Sequence, residues 1–149
     1  MDDFSVKPGA PNLYGAIGGE ANAIAPGKRM LSSMSPTIVL KNNKPAFVIG
    51  TPGGTTIPTS VFQTIVYMID YGFSPSQAIG VPKFHHQWLP DRIDVEHNFP
   101  DSTKQGLQKM GYSIFDRGSI GRTEVIKVLD TGLFDVAADS RGDDAAEGY

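Results

Sequence analysis

From Thr37 to Ile69 the chain runs strand, turn, strand, glycine loop and helix with almost no residue to spare. No other stretch constrains the fold as much. Thr37-Ile38-Val39-Leu40 is β-branched and apolar, and such side chains suit a pleated strand. Lys41-Asn42-Asn43-Lys44 is a polar turn whose two Asn tolerate positive φ. Ala46-Phe47-Val48-Ile49 returns, so the segment predicts a β-hairpin. Both strands are continuously apolar, which predicts cover on both faces. After Gly50-Thr51-Pro52-Gly53-Gly54 a helix is expected to begin near Pro58, a good first-turn residue. Val61, Phe62, Ile65, Val66, Met68 and Ile69 give it a broad apolar face, and Gly72 is suited to closing it.

The rest of the chain continues the alternation. Ser74-Pro75-x-Gln77 predicts a capping box opening a short helix that stops before Pro82. Phe84, His85, His86 and Trp88 read as a packed structural stretch, with the adjacent histidines pointing to opposite sides; His97 has no evident partner. Ile93-Asp94-Val95-Glu96 alternates like a half-exposed strand. Residues 101–110 predict a helix with Ser102 near its cap, Leu107 and Met110 inward and Gly111 after its end. A strand is expected over Ser113–Phe115. Thr123–Leu129 and Leu133–Ala137 flank Asp130-Thr131-Gly132 as a second hairpin. The fold class is α+β, with helices packed on a largely antiparallel sheet. Upstream, Pro8, Gly9, Pro11, Gly15, Gly18, Gly19, Pro26 and Gly27 break every element. The chain therefore reads as a single domain of 1–149, with 1–35 loop-rich and 36–149 carrying the sheet and helices.

Composition excludes several classes. The net charge is -3 with no Lys/Arg run, which gives no electrostatic case for nucleic acid. With no cysteine, disulfides, thiolate metal sites and a Cys nucleophile are excluded. No apolar run approaches a membrane span, and Met1-Asp2-Asp3-Phe4 is no signal peptide. The Gly53-Gly54 pair lets backbone N–H groups approach a ligand closely, at the positive end of the following helix. Such a loop can stabilise an oxyanion, although the pattern alone also fits an ordinary tight turn. Ser32 and Ser33 can donate to a carboxylate or lie in a solvated turn. Asp2-Asp3 can hold an ammonium group or simply be a solvated terminus.

Taken in order, Met1-Asp2-Asp3-Phe4-Ser5, Leu31-Ser32-Ser33-Met34-Ser35-Pro36-Thr37-Ile38-Val39, Gly50-Thr51-Pro52-Gly53-Gly54, Phe84-His85-His86-Gln87-Trp88-Leu89-Pro90-Asp91 and the closing Ser140-Arg141-Gly142-Asp143-Asp144 resemble the γ-glutamyltransferases, over essentially the whole chain. The resemblance implies an N-terminal-nucleophile hydrolase fold, a four-layer αββα sandwich, present here in part. It implies a precursor cut into large and small subunits, whose new N-terminal Thr attacks the γ-glutamyl amide of glutathione. By the same resemblance Asp3 binds the substrate ammonium, Ser32 and Ser33 the α-carboxylate, and Gly53 and Gly54 form the oxyanion hole. Capsule-processing and acylase relatives share the glycines; Asp3 and the serine pair favour γ-glutamyl substrates.

The family's opening Thr-Thr-His-Tyr/Phe-Ser segment is not in this sequence, and every Thr here is internal. None has the free α-amino group that would serve as base. The large-subunit Arg that grips the substrate carboxylate, and some central strands, are expected in other residues of the precursor. The isolated chain is thus expected to be inactive, with no cofactor and no metal. Its expected partners are the large subunit and the remainder of the small subunit, or a second copy of itself, and a periplasmic or secreted location follows from the resemblance. The alternative is a stand-alone module that binds a ligand or partner without catalysis.

Overall fold

The computed structural model describes residues 3–148; the readings placed on Met1, Asp2 and Tyr149 fall outside them. The predicted hairpin forms. Strand β1 (Thr37–Lys41) pairs antiparallel with β2 (Lys44–Gly50). Asn42 and Asn43 take φ 52 and 61, the left-handed pair that a type I′ turn requires. Helix α1 (Ile57–Ile69) follows the glycine loop, and α2 (Pro75–Gly80) opens on the expected capping box between Ser74 and Gln77. Strands β6 (Glu124–Val128) and β7 (Phe134–Ala137) complete an antiparallel sheet in the order β1-β2-β6-β7.

The two faces of this sheet differ. Ile49, Val125 and Ala137 are buried against Ile57, Val61 and Met68 of α1 and Ala78 and Ile79 of α2. On the other face Ile38, Val48, Ile126 and Val136 stand in register across all four strands. They are 64, 38, 41 and 37% exposed. The expectation that both faces are covered therefore fails within this chain. Among the described residues only the helical layer covers this sheet.

A smaller sheet, β3-β4-β5, is built from β3 (Phe84–His85), β4 (Ile93–Val95) and β5 (Ile114–Asp116). Its β4–β5 pair is the one parallel pairing among the described strands, so the sheets are largely antiparallel as expected. Ile93 to Glu96 are all buried rather than half-exposed, because both carboxylates find guanidinium partners and buried charges persist only when paired. Helix α3 (Asp101–Lys109) is entered from Pro100 with no side-chain cap, so Ser102 does not cap it. Leu107 packs on Ile93, Val95 and Phe99. Met110 is the C-cap and 73% exposed, not inward. His97, expected without a partner, pairs with Asp116 at 2.5 Å.

A buried ionic cluster joins the second sheet to the C-terminal turn. Arg141 donates from Nε and Nη2 to the two oxygens of Glu96 at 2.6 Å each, and from Nη1 to Asp139 at 3.0 Å. Lys83 Nζ donates to Asp139 at 3.0 Å. Burial pushes the Glu96 carboxyl up, but hydrogen bonds from Arg141 and from the Lys83 and Ile120 N–H groups outweigh it and hold it below its ordinary value. Asp139 is likewise held low, against burial, by the Thr123 and Arg141 N–H groups and by Lys83. Burial and the neighbouring Arg141 together lower Lys83.

Candidate substrate-binding and oxyanion site

The end of β2 and the start of α1 are joined through a 3-10 turn, Gly54–Thr56. Gly53 sits at φ 141 and Gly54 at φ 58, where side chains with a Cβ are strained. Space argues the same way. A Cβ on Gly53 would lie 2.5 Å from Thr56 Oγ1, and one on Gly54 2.5 Å from Cδ1 of Tyr14. The Gly53 carbonyl accepts from the Thr56 N–H at 3.2 Å and its hydroxyl at 3.0 Å. Neither the Gly53 nor the Gly54 N–H has an acceptor among the described residues. Two adjacent uncommitted N–H groups ahead of a helix suit an anionic oxygen.

The loop is braced from the Phe84–Asp91 stretch. Thr55 Oγ1 donates to Gln87 Oε1 at 2.8 Å, and the Gln87 amide nitrogen donates to the carbonyls of Tyr14 at 3.4 Å and Leu89 at 3.2 Å. His85 Nε2 lies 2.9 Å from the same Gln87 oxygen, and its Nδ1 2.8 Å from Thr59 Oγ1. Burial pushes His85 below its ordinary pKa, so at neutral pH one ring nitrogen donates and the other accepts. His85 thus points in, and His86 points out toward Asp91 at 3.3 Å. Trp88 departs from the packed reading: it is 71% exposed, at φ 72. Among the described residues no cluster of three or more His, Asp or Glu is arranged to hold a metal.

Asp3, Ser32 and Ser33 lie on the loop segment upstream of β1, and one side chain draws their two ends together. Asn22 donates from Nδ2 to the Asp3 carbonyl at 2.6 Å and accepts the Leu31 N–H at Oδ1, at 2.9 Å. Its own carbonyl accepts the Ser5 N–H at 3.0 Å. Asp3 is half-buried and Ser32 exposed. Ser32 Oγ accepts from the Met34 N–H at 3.2 Å, which leaves its hydroxyl hydrogen for a ligand. Among the described residues no hydrogen bond joins Asp3, Ser32 or Ser33 to Gly53 or Gly54 directly; Tyr14 against Gly54 brings the upstream segment to the glycine loop. Sequence reasoning missed Tyr14, Asn22, Thr55 and Gln87. Only Gln87 carried a signal, as the polar residue inside an otherwise apolar and aromatic motif.

The γ-glutamyltranspeptidase family model matches residues 1–149. A glutathione hydrolase proenzyme of Escherichia coli is 49% identical over all of this chain, which spans 26% of that protein. Among solved structures, a Helicobacter pylori γ-glutamyltranspeptidase T380A mutant superposes with a TM-score of 0.91 at 51% identity, over 95% of this chain and 78% of that one. The Pseudomonas nitroreducens γ-glutamyltranspeptidase complexed with L-DON gives 0.93 at 40% identity, over 100% and 79%. These matches show the N-terminal-nucleophile hydrolase fold, of which the helix-backed sheet with one open face is a part. The chain belongs to the γ-glutamyltranspeptidase family.

Proposed function

We propose that this chain supplies the substrate grip and the oxyanion hole of an enzyme that cleaves the γ-glutamyl amide of glutathione, and that the nucleophilic Thr comes from residues outside it. The uncommitted N–H pair of Gly53 and Gly54 carries this reading. Asp3 takes the α-ammonium, and the Ser32 and Ser33 hydroxyls take the α-carboxylate by charge-assisted hydrogen bonds. The Thr oxygen attacks the γ-carbonyl carbon, and the carbonyl oxygen becomes an anion held by the two N–H groups. The C–N bond then breaks, the amine leaves with a proton, and a γ-glutamyl ester remains. Water or an amino group takes the γ-glutamyl unit from that ester and regenerates the Thr. Partners are the precursor's remaining segments. By family analogy the enzyme works in the periplasm or outside the cell.

The test is hydrolysis of a γ-glutamyl anilide. The 149-residue chain alone should give no turnover, since loss of a nucleophile removes about 10⁶ in kcat in a serine protease. The same chain joined to its upstream precursor segment should turn over, and Asp3→Ala there should lower kcat/KM by roughly 10–100-fold. Clear turnover by the chain alone overturns the assignment of the nucleophile. The open apolar sheet face favours a second reading, a non-catalytic module that docks on a partner; an inactive joined enzyme would favour it.

A further inference from the structure

We propose that a cleft beside the glycine loop binds the C-terminal carboxylate of the peptide on the leaving or accepting side of the γ-glutamyl bond. The inference rests on the function proposed above. The cleft has a volume of about 290 Å³ and is lined by Tyr14, Gln87, Arg92, Asp94, Phe115 and Arg117, among others. Arg92 Nε donates to Asp94 Oδ1 at 2.7 Å, and Arg117 Nη1 to Asp94 Oδ2 at 3.1 Å. Two guanidinium groups thus share one carboxylate, and the cleft keeps one positive charge. His85 adds none at neutral pH, because burial lowers its pKa.

Arg141 shows what a structural arginine looks like in this molecule. Its three nitrogens reach both Glu96 oxygens, Asp139 and the carbonyls of Ile79 and Val81. By contrast, the two terminal nitrogens of Arg92, and Nε and Nη2 of Arg117, have no acceptor among the described residues. Both side chains are about one-third exposed, 36 and 34%. The Arg92 guanidinium lies 3.8 Å over the Phe115 ring, which fixes its plane. Uncommitted guanidinium forks match a planar carboxylate.

Position identifies the ligand. Tyr14 walls the cleft and also lies against Gly54; Gln87 walls it and accepts from Thr55 in the oxyanion loop. Tyr14 and Gln87 thus stand between this cleft and the glycine loop that, under the proposed function, holds the γ-carbonyl oxygen. An extended chain spans at most about 3.3–3.6 Å per residue, so a dipeptide carries its carboxylate roughly 7 Å beyond the scissile amide. The amine released from glutathione, or the amine that replaces it, belongs to such a peptide.

The experiment uses the chain joined to its upstream precursor segment and compares two donors. Glutathione carries a carboxylate on its leaving side; a γ-glutamyl anilide does not. Arg92→Gln and Arg117→Gln are made singly, so that Asp94 keeps one partner. Each should lower the ratio of kcat/KM for glutathione to that for the anilide by roughly tenfold. The loss should fall mainly on KM, as for binding energy shared by ground and transition states. An unchanged ratio in both variants overturns the proposal, and so does an equal fall for both donors, which marks the arginines as structural. A parent enzyme that turns over neither donor defeats the proposed function itself, and is told apart by the unmutated control.

Discussion

At the residue scale, the glycine pair gives the sharpest test of geometry. Ala at position 54 meets two obstacles. Its φ of 58 lies in the left-handed region, which costs an L-residue roughly 1–2 kcal/mol. Its Cβ would also lie 2.5 Å from the Tyr14 ring. A loop of this kind absorbs the first; the second displaces either Tyr14 or the N–H. Gly54→Ala in the joined enzyme should leave the protein folded but lower kcat by about 10²-fold, the usual cost of losing one oxyanion donor. Anilide turnover and a thermal melt check both halves, and wild-type kcat would remove Gly54 from the oxyanion hole. The tight turn at Gly53 and Gly54 was legible because both belong to a short contiguous motif, and both take positive φ. Asn22 and Gln87 were not. Asn22 acts across 19 residues on Asp3, and Gln87 across 73 on Tyr14. No local pattern records a hydrogen bond of that span.

At the element scale, hairpin, capping box and helices followed from periodicity and turn chemistry, and the misreading of β4 has a definite cause. Strand β4 reads as alternating because Asp94 and Glu96 are charged, yet both are buried by partners distant in sequence. Removing such a partner is costly. Glu96→Ala strips an acceptor from Arg141, from the Lys83 N–H and from the Ile120 N–H. It should destabilise the fold by about 3–5 kcal/mol, read as a lower urea midpoint. The pH dependence has a definite sign. Glu96 and Asp139 titrate lower in the folded chain than in the unfolded one. Their contribution is therefore complete above the unfolded values near pH 4 and is lost as pH falls through the lower folded values. Stability should decline below about pH 4, and the decline should be shallower in Glu96→Ala.

At the scale of the whole molecule, the exposed row Ile38, Val48, Ile126 and Val136 decides how the chain behaves by itself. Four apolar side chains in register, extended by Phe134 at 66% exposure, form a contiguous patch of the kind that monomeric proteins rarely leave open. Strand β1 adds a free edge to the same sheet. Sequence periodicity carried half of this fact: the continuous apolar strands signalled cover on both faces, and among the described residues only the helical face is covered. The chain spans 26% of its E. coli relative, and its own helices cover only one face. The isolated 149-residue chain should therefore associate at micromolar concentration, through this face rather than through the cleft. Light scattering should give a mass above that of the monomer. Val48→Lys with Ile126→Lys, which places two ammonium groups on the open face and leaves the buried Ile49 and Val125 untouched, should return it to a monomer with unchanged helical circular dichroism. A parent chain that is already monodisperse and monomeric would show that this face is stable in water, and would remove the structural reason for expecting a second layer upon it.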